Sequence, residues 1–274
     1  MNRLFVAYKP SGVGSNFFLG KLKRKYGVKK AGFTGTLDPF AKGVLVVGFG
    51  SYTKLFRFLK KTPKTYRATL WLGAQSDSLD IEMVQKVEEL KPLDLQKVQE
   101  VVKSLEGELS YKPPIFSAKR INGQRAYDLA RQGKEVELNT IHSTIYNTKL
   151  LHYNHPFITF EATVSEGTYI RSLGRIIANR LGVEDGSLSA LERLREGIFE
   201  YNNEQALDIT QVLDLEKNRY LGEEENLYYG RVLDFKDFEI QKDGTYWVEN
   251  RENISIITIK NQQVKYELGR IERC

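Results

Sequence analysis

Cysteine and histidine are scarce in this 274-residue chain. The one cysteine, Cys274, is the last residue, so neither an intrachain disulfide nor a cysteine-based zinc cluster can be built. The three histidines, His142, His152 and His155, do not have the spacing of metal ligands and are predicted to lie on the surface. These absences predict a protein without a bound metal in a reducing compartment, and we expect the cytoplasm.

Long apolar runs are also absent. No run approaches the roughly 18 to 20 residues that cross a bilayer, and the N-terminus lacks the apolar core of a signal peptide. A P-loop is missing as well, because residues 48–54, GFGSYTK, lack its spacing. With 41% hydrophobic and 28% charged residues, the composition is typical of a soluble globular protein. We therefore expect no membrane contact and no cofactor.

Acidic residues are almost missing from the first 76 positions. This segment carries fifteen lysines and arginines and one acid, Asp38, whereas the remainder carries 26 basic and 34 acidic residues. The net charge of +6 therefore conceals a strongly basic part and an acidic part. Segregation of this kind favours a polyanionic partner on one face, most simply a nucleic acid.

The lone acid lies in a glycine-rich segment, residues 32–54, GFTGTLDPFAKGVLVVGFGSYTK. The glycines favour sharp turns and close approach of the backbone, and Pro39 biases Asp38 away from the α region. Residues 44–47 are predicted to form a short buried strand directly afterwards. A carboxylate held on a rigid loop in a basic field suits catalysis, but Asp-Pro is also common turn chemistry. The residues alone leave both interpretations open.

Periodicity predicts several further elements. A helix capped by Ser15 or Asn16 is predicted to run to Tyr26, Ser51 is predicted to cap a short helix, and another helix is expected from about Asp94. The predicted strands cover residues 4–8, 44–47, 65–72, two stretches of 145–164, and 245–248, 254–259 and 264–268.

The aspartate segment resembles the catalytic motif of the TruB-type tRNA pseudouridine synthases, GHTGTLDPxAxGxL followed by GxxTK. Other motifs of that family follow in its order over residues 4–199: KPSG at 9–12, KTY at 64–66, GAQSDSLD at 73–80, PPIFSAK at 113–119 with GQRAY after it, SEGTYIRSL at 165–173 and LSALERLREGIF at 188–199. An ordered set is far more specific than GTLDP alone. The resemblance implies an isomerase of this family.

Several positions depart from the family pattern, among them Ser76 and Ser78, which replace threonines. Gly14 replaces a threonine, Tyr111 a glutamine, Ser187 a histidine and Glu192 an arginine. Phe33 stands where the family has a histidine that helps to hold the RNA loop open after base flipping. Phenylalanine keeps a stacking surface and loses the polar nitrogens, so we expect activity to survive with altered kinetics.

The resemblance also implies roles for individual residues. Asp38 is expected to be the catalytic aspartate, Arg171 its ion-pair partner and Tyr66 the ring that stacks on the target base. Without the motif, Tyr66 is ordinary sheet packing and Arg171 a solvated helix cation. The expected substrate-binding residues are Phe33, Tyr169, Lys9, Leu188, Lys119, Arg125 and Lys64.

The implied reaction converts uridine to pseudouridine in the T-loop of tRNA, at position 55. The N1–C1′ bond breaks, the uracil turns, and C5 bonds to C1′, so neither a metal nor an organic cofactor is required. The expected partner is the T-arm of tRNA, bound by a monomer without an obligate protein partner. Three alternatives fit parts of the sequence: a tRNA-remodelling protein of the same fold without catalysis, a guide-RNA-dependent synthase of the archaeal and eukaryotic type, and a glycosidase with paired carboxylates.

The resemblance implies the α+β pseudouridine synthase fold, with a mixed, mainly antiparallel sheet, flanking helices and an RNA-binding insertion at about residues 108–135. The catalytic domain is expected to cover residues 1–205. Residues 206–274 are expected to form a short β-rich C-terminal region, either a reduced PUA-like domain or a degenerate remnant.

Overall fold

The structure is a computed structural model that describes residues 1–116, 120–121, 124–125 and 138–273, with 120–121 and 124–125 described by their backbone. The strands, in chain order, are β1 (Arg3–Lys9), β2 (Ala31–Phe33), β3 (Lys42–Phe49), β4 (Lys64–Leu72), β5 (Ala74–Ser76), β6 (Val84–Val87), β7 (Gly107–Tyr111), β8 (Arg120–Ile121), β9 (Gln124–Arg125), β10 (Ile141–Asn154), β11 (Phe157–Val164), β12 (Gly186–Glu196), β13 (Glu216–Lys217), β14 (Gly244–Glu249), β15 (Asn253–Lys260) and β16 (Gln263–Glu272). The α-helices are α1 (Ser15–Lys25), α2 (Leu95–Lys103), α3 (Ile170–Arg180), α4 (Ile209–Val212) and α5 (Glu224–Tyr229).

An eight-stranded sheet forms the centre of the molecule, in the order β1-β3-β12-β4-β11-β10-β7, with β2 paired to β3. Neighbouring strands run antiparallel except β3 and β12, which are parallel. Helix α3 packs on this sheet through Gly174, where an added Cβ would lie 2.9 Å from the side chain of Leu188. The expected mixed, mainly antiparallel α+β fold is confirmed.

Strands β1 and β3 are covered on both faces. Their residues alternate between two apolar clusters, as the period of two in a strand requires. One face, with Leu4 and Val46, packs against the C-terminal region, and the other, with Phe5 and Val47, packs against α1. This double burial explains the unbroken apolar run of residues 44–47.

Two predicted helix starts are wrong. Helix α1 begins after Gly14, and no side chain caps it. The hydroxyl of Ser15 instead exchanges hydrogen bonds with the backbone of Leu37, at 2.9 Å to the carbonyl oxygen and 3.0 Å from the amide. Residues Gly50–Phe58 form a 3₁₀ helix that follows Phe49, and Ser51 does not cap it. The predicted start at Asp94 is confirmed, since its carboxylate accepts from the amide of Lys97 at 2.9 Å.

The C-terminal region contains a four-stranded sheet in the order β13-β14-β15-β16, which confirms its three predicted strands. This sheet shares an apolar cluster with the N-terminal strands. Trp247, Ile254 and Ile256 lie in one cluster with Leu4 and Val44. The region therefore shares a core with β1 and β3, and the domain boundary at residue 205 stays a prediction. Among the described residues, no helix is long and apolar enough to cross a membrane.

Candidate active site

The loop that carries Asp38, residues 34–41, joins β2 to β3 and borders a pocket of about 280 Å³. We call this segment the aspartate loop. The other walls come from the start of β4, residues 165–169 before α3, the first turn of α3, and β12. The pocket therefore lies where segments distant in sequence converge on the central strands β4 and β12 of the sheet.

The N-terminal turn holds the aspartate loop in place. The amide of Gly12 donates to the carbonyl oxygen of Pro39 at 2.8 Å. Lys9 is fully buried beneath the loop, and its ammonium donates to the carbonyl oxygens of Pro10, Val13 and Pro39 at 2.9, 2.7 and 3.3 Å. The ammonium of Lys9 thus donates all three of its hydrogen bonds to backbone carbonyl oxygens of the N-terminal turn and the aspartate loop.

Burial lowers the pKa of Lys9 to about 8, and the negative charge of Asp38 opposes this shift. Lys9 does not line the pocket. The structure consequently places this residue, expected to bind substrate, where it supports the loop that bears the aspartate.

Asp38 and Arg171 form an ion pair at the pocket, with Arg171 Nε 3.0 Å from Asp38 Oδ2. The same guanidinium reaches a second carboxylate, since Nη1 lies 3.1 Å from Asp80 Oδ2. It also donates to the carbonyl oxygens of Ser78 at 2.7 Å and Phe116 at 2.9 Å. With 4% of its surface exposed, Arg171 is not a solvated helix cation. These partners fix the plane of the guanidinium and aim one edge at Asp38.

The electrostatics of Asp38 combine opposing effects. Enclosure by the surrounding protein raises the pKa of this carboxyl, and the nearby charge of Asp80 acts in the same direction. Arg171 and Lys9 lower it. The side chain keeps 36% of its surface exposed, so a ligand in the pocket can reach the carboxylate. The result is a poorly solvated but accessible carboxylate beside a fixed cation.

Two tyrosines line the same pocket. Tyr66 lies on β4 and is largely buried. Tyr169 immediately precedes α3, and its amide donates to the hydroxyl of Tyr111 at 3.1 Å. The hydroxyl of Tyr111 also hydrogen bonds with that of Ser143 at 2.9 Å, so this departure from the family pattern supports the backbone at Tyr169. The pocket therefore has aromatic side chains close to the ion pair.

The remaining predicted residues occupy different places. Lys64 lines the pocket. Phe33 is partly buried in the apolar cluster beneath α1, and Leu188 is fully buried against α3; neither lines the pocket, whereas Leu191 does. Lys119 lies outside the described residues, and Arg125 falls in β9, where only the backbone is described.

Sequence reasoning missed two buried carboxylates. The first, Asp80, ends the GAQSDSLD motif, and its position in that motif was the available signal. Its Oδ1 accepts from the hydroxyl of Ser78 at 2.6 Å and the amide of Glu82 at 3.0 Å. The second, Glu196, closes β12 within a highly charged stretch that gives no sign of burial. Within the described ranges, no group of three or more His, Cys, Asp or Glu is arranged to hold a metal ion.

Comparison with known proteins agrees with this geometry. The family model described as "TruB family pseudouridylate synthase (N terminal domain)" matches residues 23–170. A relative from Sulfurimonas denitrificans, named tRNA pseudouridine synthase B, is 66% identical over 272 residues, covering 99% of this chain and 100% of its own. The chain belongs to the TruB family. This pseudouridine synthase is also 50% identical to a protein of the same name from Campylobacter jejuni strain 81-176, over the full length of both.

Solved structures show the fold of the family. A chain in the crystal structure of a Cbf5-Nop10-Gar1 complex superposes with a TM-score of 0.68 at 20% identity, covering 99% of this chain and 84% of that chain. Another, from an archaeal box H/ACA sRNP Nop10-Cbf5 complex, gives a TM-score of 0.66 at 19% identity. The expected family, fold and enzyme class, an isomerase that forms pseudouridine, are thus confirmed.

Proposed function

We propose that this synthase isomerises the T-loop uridine of tRNA, at position 55, to pseudouridine, with Asp38 as the catalytic carboxylate. The observation that carries the proposal is the ion pair of Asp38 with the buried Arg171 at the edge of an open pocket. The name of the relatives, tRNA pseudouridine synthase B, supports tRNA as the substrate.

The pocket supplies the parts that the reaction needs. Asp38 attacks C1′ of the nucleotide or removes a proton from C2′, and both routes require an ionised carboxylate. Arg171 keeps that carboxylate charged and oriented. A uridine within a folded loop must leave its stack to enter the pocket, and Tyr66 offers a replacement surface. Stacking on an aromatic ring is worth roughly 1–3 kcal/mol per base.

Exposed cations on α1 and on the turn after it suit the phosphates of the substrate. Helix α1 and the turn after it present the charged ends of Lys21, Arg24, Lys29 and Lys30 to solvent. The N-terminus of α1 contacts the aspartate loop through Ser15 and Leu37. RNA bound along this helix would therefore approach the pocket, with phosphate contacts contributing most of the affinity.

The test uses the purified protein alone with an unmodified T-arm stem-loop in excess EDTA. The nucleosides are separated after digestion, and we expect pseudouridine at the T-loop position with no change in RNA mass. A strict requirement for a metal, a dissociable cofactor or a second protein would contradict the proposed chemistry. Tight binding of the stem-loop without any conversion would instead favour the remodelling protein without catalysis.

A further inference from the structure

Glu196, the last residue of β12, has a fully buried side chain that contacts two walls of the pocket. Its Oε2 accepts a hydrogen bond from Thr34 Oγ1 at 2.8 Å and lies 3.3 Å from Arg193 Nη2. Its Oε1 lies 3.4 Å from Lys64 Nζ. One carboxylate thus joins a residue of the aspartate loop to a residue of β4.

These contacts lie close to the residues that we expect to react with and stack on the uridine. Thr34 begins the aspartate loop, four positions before Asp38. Lys64 begins β4, two positions before Tyr66, and it pairs directly with Glu196 across the antiparallel strands. Side chains two positions apart on a strand lie on the same face, so the cross-strand pair of Glu196 and Lys64 connects the aspartate loop to the strand face that carries Tyr66.

The same cluster also restrains the backbone of the loop. Arg193 Nη2 donates to the carbonyl oxygen of Gly35 at 2.9 Å, and Nε donates to that of Val44 at 2.8 Å. Gly35 has a φ of +41°, and a Cβ there would lie 2.9 Å from Lys64 Nζ and 3.3 Å from Glu196 Oε1. The loop therefore rests directly on the charged groups, with no space between them.

The charges make Glu196 the centre of this arrangement. Arg193 is 1% exposed and Lys64 is 6% exposed, so two buried cations share the carboxylate. Glu166, the other acid near Lys64, is half exposed and 3.8 Å away. Glu196 Oε1 has no hydrogen bond of its own, although it is buried. Buried ion networks are weak stabilisers compared with apolar packing, and some are retained because they select one geometry.

We propose that Glu196 is a positioning residue for the isomerisation. Through Thr34 and Lys64 it sets the distance between the carboxylate of Asp38 and the ring of Tyr66. This inference rests on the proposed role of Asp38.

The decisive variants remove one contact at a time. Thr34→Val deletes the hydroxyl that donates to Glu196 and keeps the shape of the side chain, whereas Thr34→Ser keeps the hydroxyl and loses only the methyl group. Thr69→Val is the matched control, because Thr69 also bonds through its hydroxyl, to Thr159 at 3.0 Å, and it does not line the pocket. Glu196→Gln keeps the size of the side chain and removes its charge.

Single-turnover rates and dissociation constants for the stem-loop separate positioning from binding. We expect Thr34→Val and Glu196→Gln to lower the rate by roughly 10- to 100-fold, the range for a small misplacement of reacting groups, while the dissociation constant stays within about twofold. Thr34→Ser should recover most of the rate, and Thr69→Val should match the wild type. Combining Thr34→Val with Glu196→Gln should cost little more than either change alone.

Several results would overturn the inference. A normal single-turnover rate for Thr34→Val would do so, as would an equally large loss of rate in the control Thr69→Val. A loss of affinity for the stem-loop as large as the loss of rate would also contradict it, and so would a Thr34→Ser protein as slow as Thr34→Val. If Glu196→Gln does not fold, the Thr34 series decides alone. A wild-type protein that forms no pseudouridine would instead contradict the proposed function, so the two failures are distinguishable.

Discussion

Asp38 and Arg171 are held 3.0 Å apart by separate parts of the fold. The carboxylate comes from a loop supported by the N-terminal turn, and the guanidinium comes from the first turn of a helix on the central sheet. Because the loop and the helix are supported separately, a substitution at one residue should leave the backbone around the other in place. The site is therefore suited to substitutions that test chemistry separately from folding.

Replacement of Asp38 by asparagine should abolish turnover, because the amide can neither attack C1′ nor remove the proton at C2′. The loop contacts of its neighbours remain, so the affinity for tRNA should stay within a few-fold of the wild type. Nucleoside chromatography and a binding titration measure the two effects. Pseudouridine formation by the purified Asp38→Asn protein would refute the assigned role.

The dependence of the single-turnover rate on pH should reveal the environment of Asp38. Enclosure raises its pKa above the usual value of 3.8, so the acid limb of the profile should lie above that pH. Arg171 lowers the pKa, so Arg171→Met should move the limb further upward and reduce the maximal rate. A limb that moves downward in this variant would contradict the sign of the interaction.

Asp80→Asn removes a buried carboxylate that partners Arg171 at 3.1 Å. Arg171 keeps Asp38 as an ionic partner, so the expected cost is that of a buried donor losing one charged acceptor, and the free energy of unfolding should fall by about 1–3 kcal/mol. The neighbouring Asp77 provides the control, because it is exposed and bonds to Gln85. Asp77→Asn should change stability by about 0.5 kcal/mol or less in denaturant titrations. Equal effects of the two substitutions would argue against the buried network.

The burial of Lys9 predicts that the rate also depends on pH on the alkaline side. Its pKa is lowered to about 8, so the ammonium is charged below that pH and neutral above it. The neutral amine has two donors for the three carbonyl oxygens, so the loop should loosen and the rate should fall as the pH rises through about 8. Lys9→Met should be slower at neutral pH and lack this limb. The same limb in Lys9→Met would assign the titration to another group.

Phosphate contacts should make tRNA binding strongly dependent on salt. Each contact that is removed should flatten the slope of log affinity against log salt by about 0.7–0.9. We expect this for charge removal within residues 21–30, for example by glutamine at Lys29 and Lys30, and within residues 54–67 and 119–134. Lys265 is exposed and lies on β16 of the C-terminal sheet, so Lys265→Gln serves as a control. If the affinity for tRNA changed neither with salt nor with these substitutions, binding of phosphates by these segments would be excluded.

Much of the site could be predicted because its signals are local. The glycines and Pro39 predict the aspartate loop, and the apolar run of residues 44–47 predicts β3. Ser15 was misassigned because a hydroxyl at a helix start usually serves as a cap, whereas here a loop distant in sequence takes it. That competition depends on tertiary structure and leaves no trace in the neighbouring residues.

Glu196 shows the same limit for charged residues. The stretch LERLRE, residues 191–196, holds four charged residues in adjacent pairs, without an alternation that would separate buried from exposed positions. In the structure, Arg193 and Glu196 are buried, because the bulge between Arg193 and Arg195 shifts the alternation and Lys64 and Thr34 provide their partners. Burial of a charge depends on its partners, and these come from other segments.

The apolar cluster between the C-terminal sheet and strands β1 and β3 bears on whether evolution can remove the C-terminal region. Val44 and Val46 belong to the strand that follows the aspartate loop, and Ile254 and Ile256 cover them. If residues 206–274 were lost, that strand would face water with its apolar side, a few residues from Asp38. Loss of the region should therefore destabilise the strand that follows the aspartate loop. We expect the region to persist in descendants of this chain because of its place in the core.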